Sequence, residues 1–158
     1  MTEPDSASTR RAQRALRRAD FPVLCPITTR WSDNDMFGHL NNAVYYELFD
    51  TAINGWLASV TGTDAVAEDV IGVVAGSRCV FFGEVGFPQP VTVGLRVARI
   101  GRTSVTYELG VFGDPDDGIS AYGTWTHVYI DRDTRRPTAP PERFREAFAR
   151  VRVGEERT

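Results

Sequence analysis

Apolar side chains along this sequence recur with two different periods. In residues 42–60 they fall at Val44, Tyr45, Leu48, Phe49, Ala52, Ile53, Trp56 and Leu57, a wide stripe of helical spacing. Asn41 or Asn42 can offer a capping oxygen to the orphan amides at the start, and Gly62 follows at a suitable stop. After a polar stretch at 63–69 the period drops to two. Residues 70–82 are rich in β-branched and aromatic side chains; Val91, Val93, Leu95 and Val97 alternate, as do Val105, Tyr107, Leu109 and Val111; residues 119–130 close the set. Turn residues separate these runs at 83–90, at 100–103 and in the GDPDDG stretch at 113–118. Upstream of the helix, residues 27–31 alternate as a first strand, while Pro22 and Pro26 confine the chain before it to a sheet edge or a turn. Residues 32–41 break the periodicity and read as a loop. Pro140 and Pro141 open a short amphipathic helix with Phe144, Ala147, Phe148 and Val151 on one side.

The predicted order is strand, long helix, then four strands with short connections. Strands joined so tightly pair antiparallel, because parallel pairing needs a crossover. One long apolar helix beside a single curved antiparallel sheet must bury its stripe against the concave face. The fold class is therefore α+β, with one layer of helix on one sheet. Residues 1–20 read as an extension, 21–151 as a single domain and 152–158 as a tail. Within the extension, residues 1–9 look like a disordered polar lead. The RRAQRALRR run at 10–18 suits either a short basic surface helix or a solvated arm.

Composition narrows the function classes. At 158 residues the chain can bury one core unaided, and 42% apolar with 25% charged residues is ordinary for a soluble globular protein. A net charge of -3 gives no electrostatic argument for nucleic acid or a membrane as partner. Cys25 and Cys79 are far apart and belong to no ligand cluster, which argues against a zinc site or disulfide framework and for a reduced, cytoplasmic setting. No apolar run approaches a membrane span, and the N-terminus lacks the apolar core of a signal peptide.

The richest chemistry sits where the first strand hands over to the helix: Thr29-Arg30-Trp31-Ser32-Asp33-Asn34-Asp35-Met36-Phe37-Gly38-His39-Leu40-Asn41-Asn42-Ala43-Val44-Tyr45-Tyr46. This stretch closely resembles the signature of the 4-hydroxybenzoyl-CoA thioesterase-like branch of the hot-dog superfamily. There an Asp-x-Asp-x-x-Gly-His-type loop leads into an Asn-rich helix start. The resemblance runs from about residue 26 to 141, and includes the RIGRTSV stretch at 99–105 and the RRPTAPP stretch at 135–141. It implies a hot-dog fold, with a long central helix wrapped by one curved antiparallel sheet. It also implies an acyl-CoA (or acyl carrier protein) thioesterase working as a homodimer or homotetramer, with no metal or redox cofactor. Asp35 matches the family's general base or nucleophile, and Asn42 or a close neighbour matches the backbone amide that polarises the thioester carbonyl. Asp50 stands where the family often carries a second carboxylate on the helix. His39 would orient the thioester or assist the base. Gly38, Asn41 and Tyr45 fall beside the substrate, and Arg102 and Ser104 mark a turn where CoA phosphates could dock. The basic arm at 10–18 could meet the same phosphates.

Elementary chemistry supports this reading. Thioester hydrolysis places negative charge on the carbonyl oxygen, and a helix N-terminus offers unpaired N–H donors and a favourable dipole. A nearby carboxylate must activate water or attack directly. Asp35 lies on the loop feeding that helix end, and Glu47, Asp50 and Asn54 form a narrow polar stripe on the helix. Blander roles fit the same residues. Asp33 and Asp35 also suit local loop bracing, Asp50 a surface ion pair, and His39 a backbone contact at the helix start. His127 alternates with Trp125 and Tyr129 and reads as a satisfied sheet histidine. A calcium loop counted from Asp33 fails, because Val44 stands at the twelfth position, where a bidentate Glu is required. A hot-dog hydratase or dehydratase would carry Asp-x-Asn-Pro-x-His; here Asn34 is followed by Asp35, Met36 and Phe37. A non-catalytic acyl-CoA-binding module is the remaining alternative, since fold alone never proves chemistry. The GFPQP stretch at 86–90 departs from the polar Gly-Asp turn that relatives carry there.

Overall fold

The structure, a computed structural model, describes residues 6–64 and 67–154. Residues 1–5 of the polar lead, two residues of the 63–69 stretch and 155–158 of the tail lie outside the described residues. The α+β architecture is as expected: a hot-dog arrangement of one antiparallel sheet carrying a long helix. The elements are α1 (Ala7–Ala15), β1 (Val23–Ile27), α2 (Asn42–Thr61), β2 (Val70–Phe81), β3 (Val91–Ile100), β4 (Ser104–Gly113), β5 (Ile119–Asp131) and α3 (Glu142–Arg150). The sheet order is β1-β3-β4-β5-β2.

Two expectations about strands need correction. The first strand is not 27–31 but β1, which contains Pro26 and ends at Ile27; Trp31–Asp33 is a single 3-10 turn. Proline cannot donate to a ladder, so β1 takes the sheet edge, with Pro26 opposite Thr92. The short 83–90 connection does not make β2 and β3 neighbours either. β2 crosses to the far edge and pairs with β5, Val70 opposite Asp131 and Phe81 opposite Ala121. The two hairpins β3–β4 and β4–β5 follow the rule that short turns pair strands antiparallel.

Register shifts at Val74/Gly76, Val97/Arg99 and Val111/Phe112 are bulge-like irregularities that bend the strands, and the sheet curves over α2. Tyr45, Leu48, Phe49, Ala52, Ile53, Trp56 and Leu57 are buried on the side of α2 that joins the main core with Val91, Val93 and Leu95. Phe49 is fully buried over β5, where a side chain on Gly123 would meet its Cζ at 2.6 Å. Gly62 ends the helix in the left-handed conformation at φ +65°. The opposite face of α2 is exposed, so the sheet covers the helix on one side only, and the Glu47–Asp50–Asn54 stripe faces outward.

On the outer face of the sheet, Phe21, Phe112, Ile119 and Tyr122 form a second small core. The N-terminal segment is attached there. α1 begins at Ala7 with Ser6 as its cap, earlier than the 10–18 run suggested. Arg10 lies over the Phe82 ring at 5.3 Å, and Arg18 bonds Asp114 at 2.7 Å while stacking over Phe112. Cation–π contacts and an ion pair thus give two of these arginines fixed partners.

Candidate active site

The loop between β1 and α2 is held by its own polar groups. Asp33 is buried, and its carboxylate accepts the Arg30 backbone N–H at 2.7 Å and the Arg30 guanidinium at 2.8 and 3.0 Å. Burial alone would raise this carboxyl; the Arg30 bonds and charge outweigh it and hold Asp33 below the usual carboxylate value. Arg30 also reaches Glu47 on α2 at 3.3 Å, and the Asp33 carbonyl accepts the Asn41 N–H at 2.9 Å. Asp33 is therefore a brace between the loop and the helix start.

Beyond the brace the chain folds back on itself. Asn34 bridges Leu40, the Asp35 N–H donates to the His39 carbonyl at 2.9 Å, and the Gly38 N–H donates to the Asp35 carbonyl at 3.2 Å. Gly38 sits at φ +88°, a backbone state that other L residues adopt only under strain. Leu40 plugs the core and donates its N–H to the Val85 carbonyl at 2.7 Å. The Asn34 side chain accepts the Phe87 N–H at 2.9 Å, and a side chain on Gly86 would collide with the Gly38 carbonyl at 2.8 Å. The GFPQP stretch thus packs directly against the Asp35 loop.

At the tip, Asp35 Oδ1 accepts the Phe37 N–H at 2.8 Å, while Oδ2 stands 3.6 Å from His39 Nδ1. The Asp35 side chain is only 19% exposed, and His39 lies between it and Glu84, 3.8 Å away. The His39 ring stacks on Phe37. Asn41 caps α2, its Oδ1 accepting the Ala43 N–H at 2.9 Å and its carbonyl accepting the Val44 N–H. The Asn42 N–H carries no hydrogen bond among the described residues. It is the open donor of an exposed helix start. Tyr45, one turn on, is buried edge-on against Phe81 at 5.0 Å; burial, helped by Cys79 and Glu84, pushes its phenol up to about 12.

Asp35, Gly38, His39, Asn41, Asn42 and Tyr45 therefore gather at one end of the sheet, around the start of α2. Asp50, Arg102 and Ser104 do not join them. Asp50 is about 12 Å further along the helix axis, exposed, and bonded by the Asn54 side chain at 2.8 Å. Arg102 and Ser104 sit in the β3–β4 turn, at the opposite end of the sheet, where Ser104 closes the turn by accepting the Gly101 N–H.

That far end holds a cavity of about 140 Å³, lined by Asn54, Leu57, Thr63, Glu68, Gly72, His127, Tyr129 and Phe144 among others. Sequence reasoning passed over its most telling member. His127 is only 4% exposed, and its Nε2 accepts the Trp125 indole N–H at 2.9 Å. Its proton is thereby assigned to Nδ1, which is buried without a partner among the described residues. Burial lowers the His127 pKa from 6.5, and the Asp50 charge opposes that shift. Strand alternation made His127 look satisfied; only the unpaired nitrogen, invisible in sequence, marks it. Among the described residues, no group of three or more His, Cys, Asp or Glu could hold a metal ion. Nor is any described helix long and apolar enough to cross a membrane.

Comparison with known proteins bears on this geometry. The model of the thioesterase-like superfamily matches residues 29–148. A Pseudomonas aeruginosa protein of known crystal structure is 42% identical, covering 89% of this chain and 98% of its own, with a TM-score of 0.85. A Thermus thermophilus thioesterase, solved with coenzyme A and Zn, is 27% identical over 84% of this chain and 95% of its own, TM-score 0.71. The 1,4-dihydroxy-2-naphthoyl-CoA thioesterase of Synechocystis shares the fold at 15% identity, covering 80% of this chain and 94% of its own, TM-score 0.73. The comparison with curated proteins returned no match. With the family model spanning the Asp35 loop, the capped helix and strands β2 to β5, the chain belongs to the thioesterase-like superfamily and is a hot-dog thioester hydrolase.

Proposed function

We propose that the protein hydrolyses an acyl-CoA, or the matching acyl carrier protein thioester, to free acid and thiol, with Asp35 as the reacting carboxylate. The observation that carries this reading is the pairing of a sheltered carboxylate with an open amide. Asp35 is fixed by the Phe37 N–H at the tip of a closed loop, and that loop runs straight into the unpaired Asn42 N–H. Asn42 then polarises the thioester carbonyl through its backbone, and Asp35 activates water or attacks. His39, 3.6 Å from the free carboxylate oxygen, orients Asp35. Gly38, Asn41 and Tyr45 shape the entrance. The Thermus thioesterase solved with coenzyme A supports CoA as the thiol.

The working unit in this reading is a homodimer. β2 is a twelve-residue edge strand whose outer side pairs with no strand among the described residues, with Gly72, Val74, Ala75, Gly76 and Ser77 exposed. A bare edge of this length invites a second strand, and a two-fold axis lets β2 pair with its own copy. An axis near Ala75 sets Phe81 beside the partner's Val70. Since Phe81 packs on Tyr45, each Asp35 loop then comes to the far end of the other subunit. Asp50, Arg102 and Ser104 join the site from across the interface by this route, the last two toward the CoA phosphates.

The test is Asp35→Asn, assayed by thiol release from a panel of acyl-CoA esters. The amide keeps an oxygen for the Phe37 N–H, so the fold is retained. Hydrolysis should fall by at least about a hundredfold. A folded variant as fast as the parent would remove Asp35 from the chemistry.

A further inference from the structure

We infer that the cavity beside His127 receives the acyl group of a thioester bound at the partner's Asp35, and that the His127 Nδ1–H donates to an acceptor oxygen on that group. This rests on the dimeric thioesterase reading above. The cavity is walled by Leu57, Phe144 and the β2 residues Val70, Ile71 and Gly72, so it borders the edge strand on which the second copy would pair. Its own Asp35 cannot serve it: Asn54 and Ala58 stand about 18–24 Å along α2 from the helix start. Pairing of β2 with its copy brings the partner's loop to that edge.

The lining chooses the substrate class. A volume of about 140 Å³ suits a compact group, roughly one six-membered ring. Its walls are mostly apolar, yet one buried polar atom of the lining has no partner among the described residues: Nδ1 of His127. Because Trp125 holds Nε2 as acceptor, Nδ1 can only donate in the neutral ring. A buried donor left unpaired is costly, and a site of this kind rejects analogues that lack the matching acceptor. The occupant that satisfies it is a short or cyclic acyl group bearing a hydroxyl or keto oxygen remote from the thioester. Gly72 keeps the space beside the imidazole free, since a side chain there would stand 3.3 Å from Nδ1.

Matched pairs of substrates test this: 3-oxobutyryl-CoA against butyryl-CoA, and hydroxybenzoyl-CoA isomers against benzoyl-CoA. The intact protein should favour one oxygen-bearing member by about tenfold or more in kcat/KM. His127→Phe should bring that ratio near one by loss of activity on the oxygen-bearing member. His127→Gln, which keeps both an acceptor for Trp125 and a donor, should retain part of the preference. Thermal unfolding of each variant verifies the fold. No preference in any pair, a preference that survives His127→Phe, or a parallel fall in both members of a pair overturns the inference and leaves the thioesterase reading standing. Failure of the parent protein to hydrolyse any of these thioesters while it releases thiol from other acyl-CoA esters overturns the inference alone, and no thiol release from any ester of the wider panel overturns both.

Discussion

Replacing Gly123 by alanine tests whether α2 is seated on the sheet through Phe49. The added methyl would lie 2.6 Å from Phe49 Cζ and 3.1 Å from Cδ2, against the usual 3.5–4.0 Å between carbons. Phe49 is fully buried, with Tyr46 edge-on beside it, so the ring has no empty space to turn into. Overpacking of this kind costs about 1–3 kcal/mol, whereas removing a glycine returns about 0.4–1 kcal/mol through the unfolded chain. The clash wins, leaving a net loss of about 1–2 kcal/mol, or a fall of about 2–8 °C in Tm for a domain of this size. Urea and thermal unfolding measure it. Adding Phe49→Leu makes room, and the double-mutant cycle should show a favourable coupling of at least about 1 kcal/mol. Lifting α2 also shifts the Asn42 amide relative to the Asp35 loop, so kcat should fall about tenfold. A Tm equal to or above the parent's, or no coupling to Phe49, refutes the seating argument.

Three further outcomes follow from the same structure. Asn41→Ala removes the oxygen that holds the Ala43 N–H and should cost about 1 kcal/mol, with Asn41→Asp restoring most of it; urea titration reads both. His127 is buried with its pKa held below 6.5, so under that value the unfolded chain takes up a proton that the folded chain refuses. Stability should decline as pH falls from about 6.5 toward the lower folded value, and His127→Phe should flatten that limb of a Tm-against-pH curve; an unchanged slope counts against the assignment. Val74→Asp places a charge on the unpaired β2 edge, where Val74 is 49% exposed. Light scattering should show monomers, and thiol release should be lost with the dimer; a fully active monomer would show that one chain holds a complete site.

Local signals carried much of the fold. The α2 stripe, its asparagine cap and its glycine stop lie within one continuous segment, and all three appear where the side-chain spacing put them. The hairpins β3–β4 and β4–β5 were equally legible, because short turns leave their strands no other partner. β2 was different: its place beside β5 depends on a crossover that no local pattern encodes. β1 was misplaced by a few residues, since the alternation at 27–31 looks better than a strand containing Pro26, and only edge pairing makes the latter acceptable. In the site, the roles of Asp33 and Asp35 could not be separated from spacing alone. Burial separates them: Asp33 spends its oxygens on Arg30, whereas Asp35 keeps one oxygen beside His39. The unpaired His127 nitrogen depends on Trp125 two residues away and on Gly72 from another strand, a combination no motif expresses.

If Asp35 is the reacting carboxylate proposed above, its surroundings make assembly part of the chemistry. Trp31, Met36 and Phe37 are 82%, 90% and 76% exposed on the very loop that presents the carboxylate. Apolar groups so clustered and so bare mark a surface that expects a partner. The same exposure would leave an isolated loop wet, and water weakens the amide-to-carbonyl interaction on which thioester polarisation depends. Covering these side chains would dry the helix start without moving Asp35, because the brace through Asp33 and the Asn34–Leu40 bridge already fix the loop within one chain. In the proposed dimer, loop geometry would thus belong to the subunit and the low-dielectric setting to the interface. On that division, separating the subunits should cost activity even where the Asp35 loop keeps its shape.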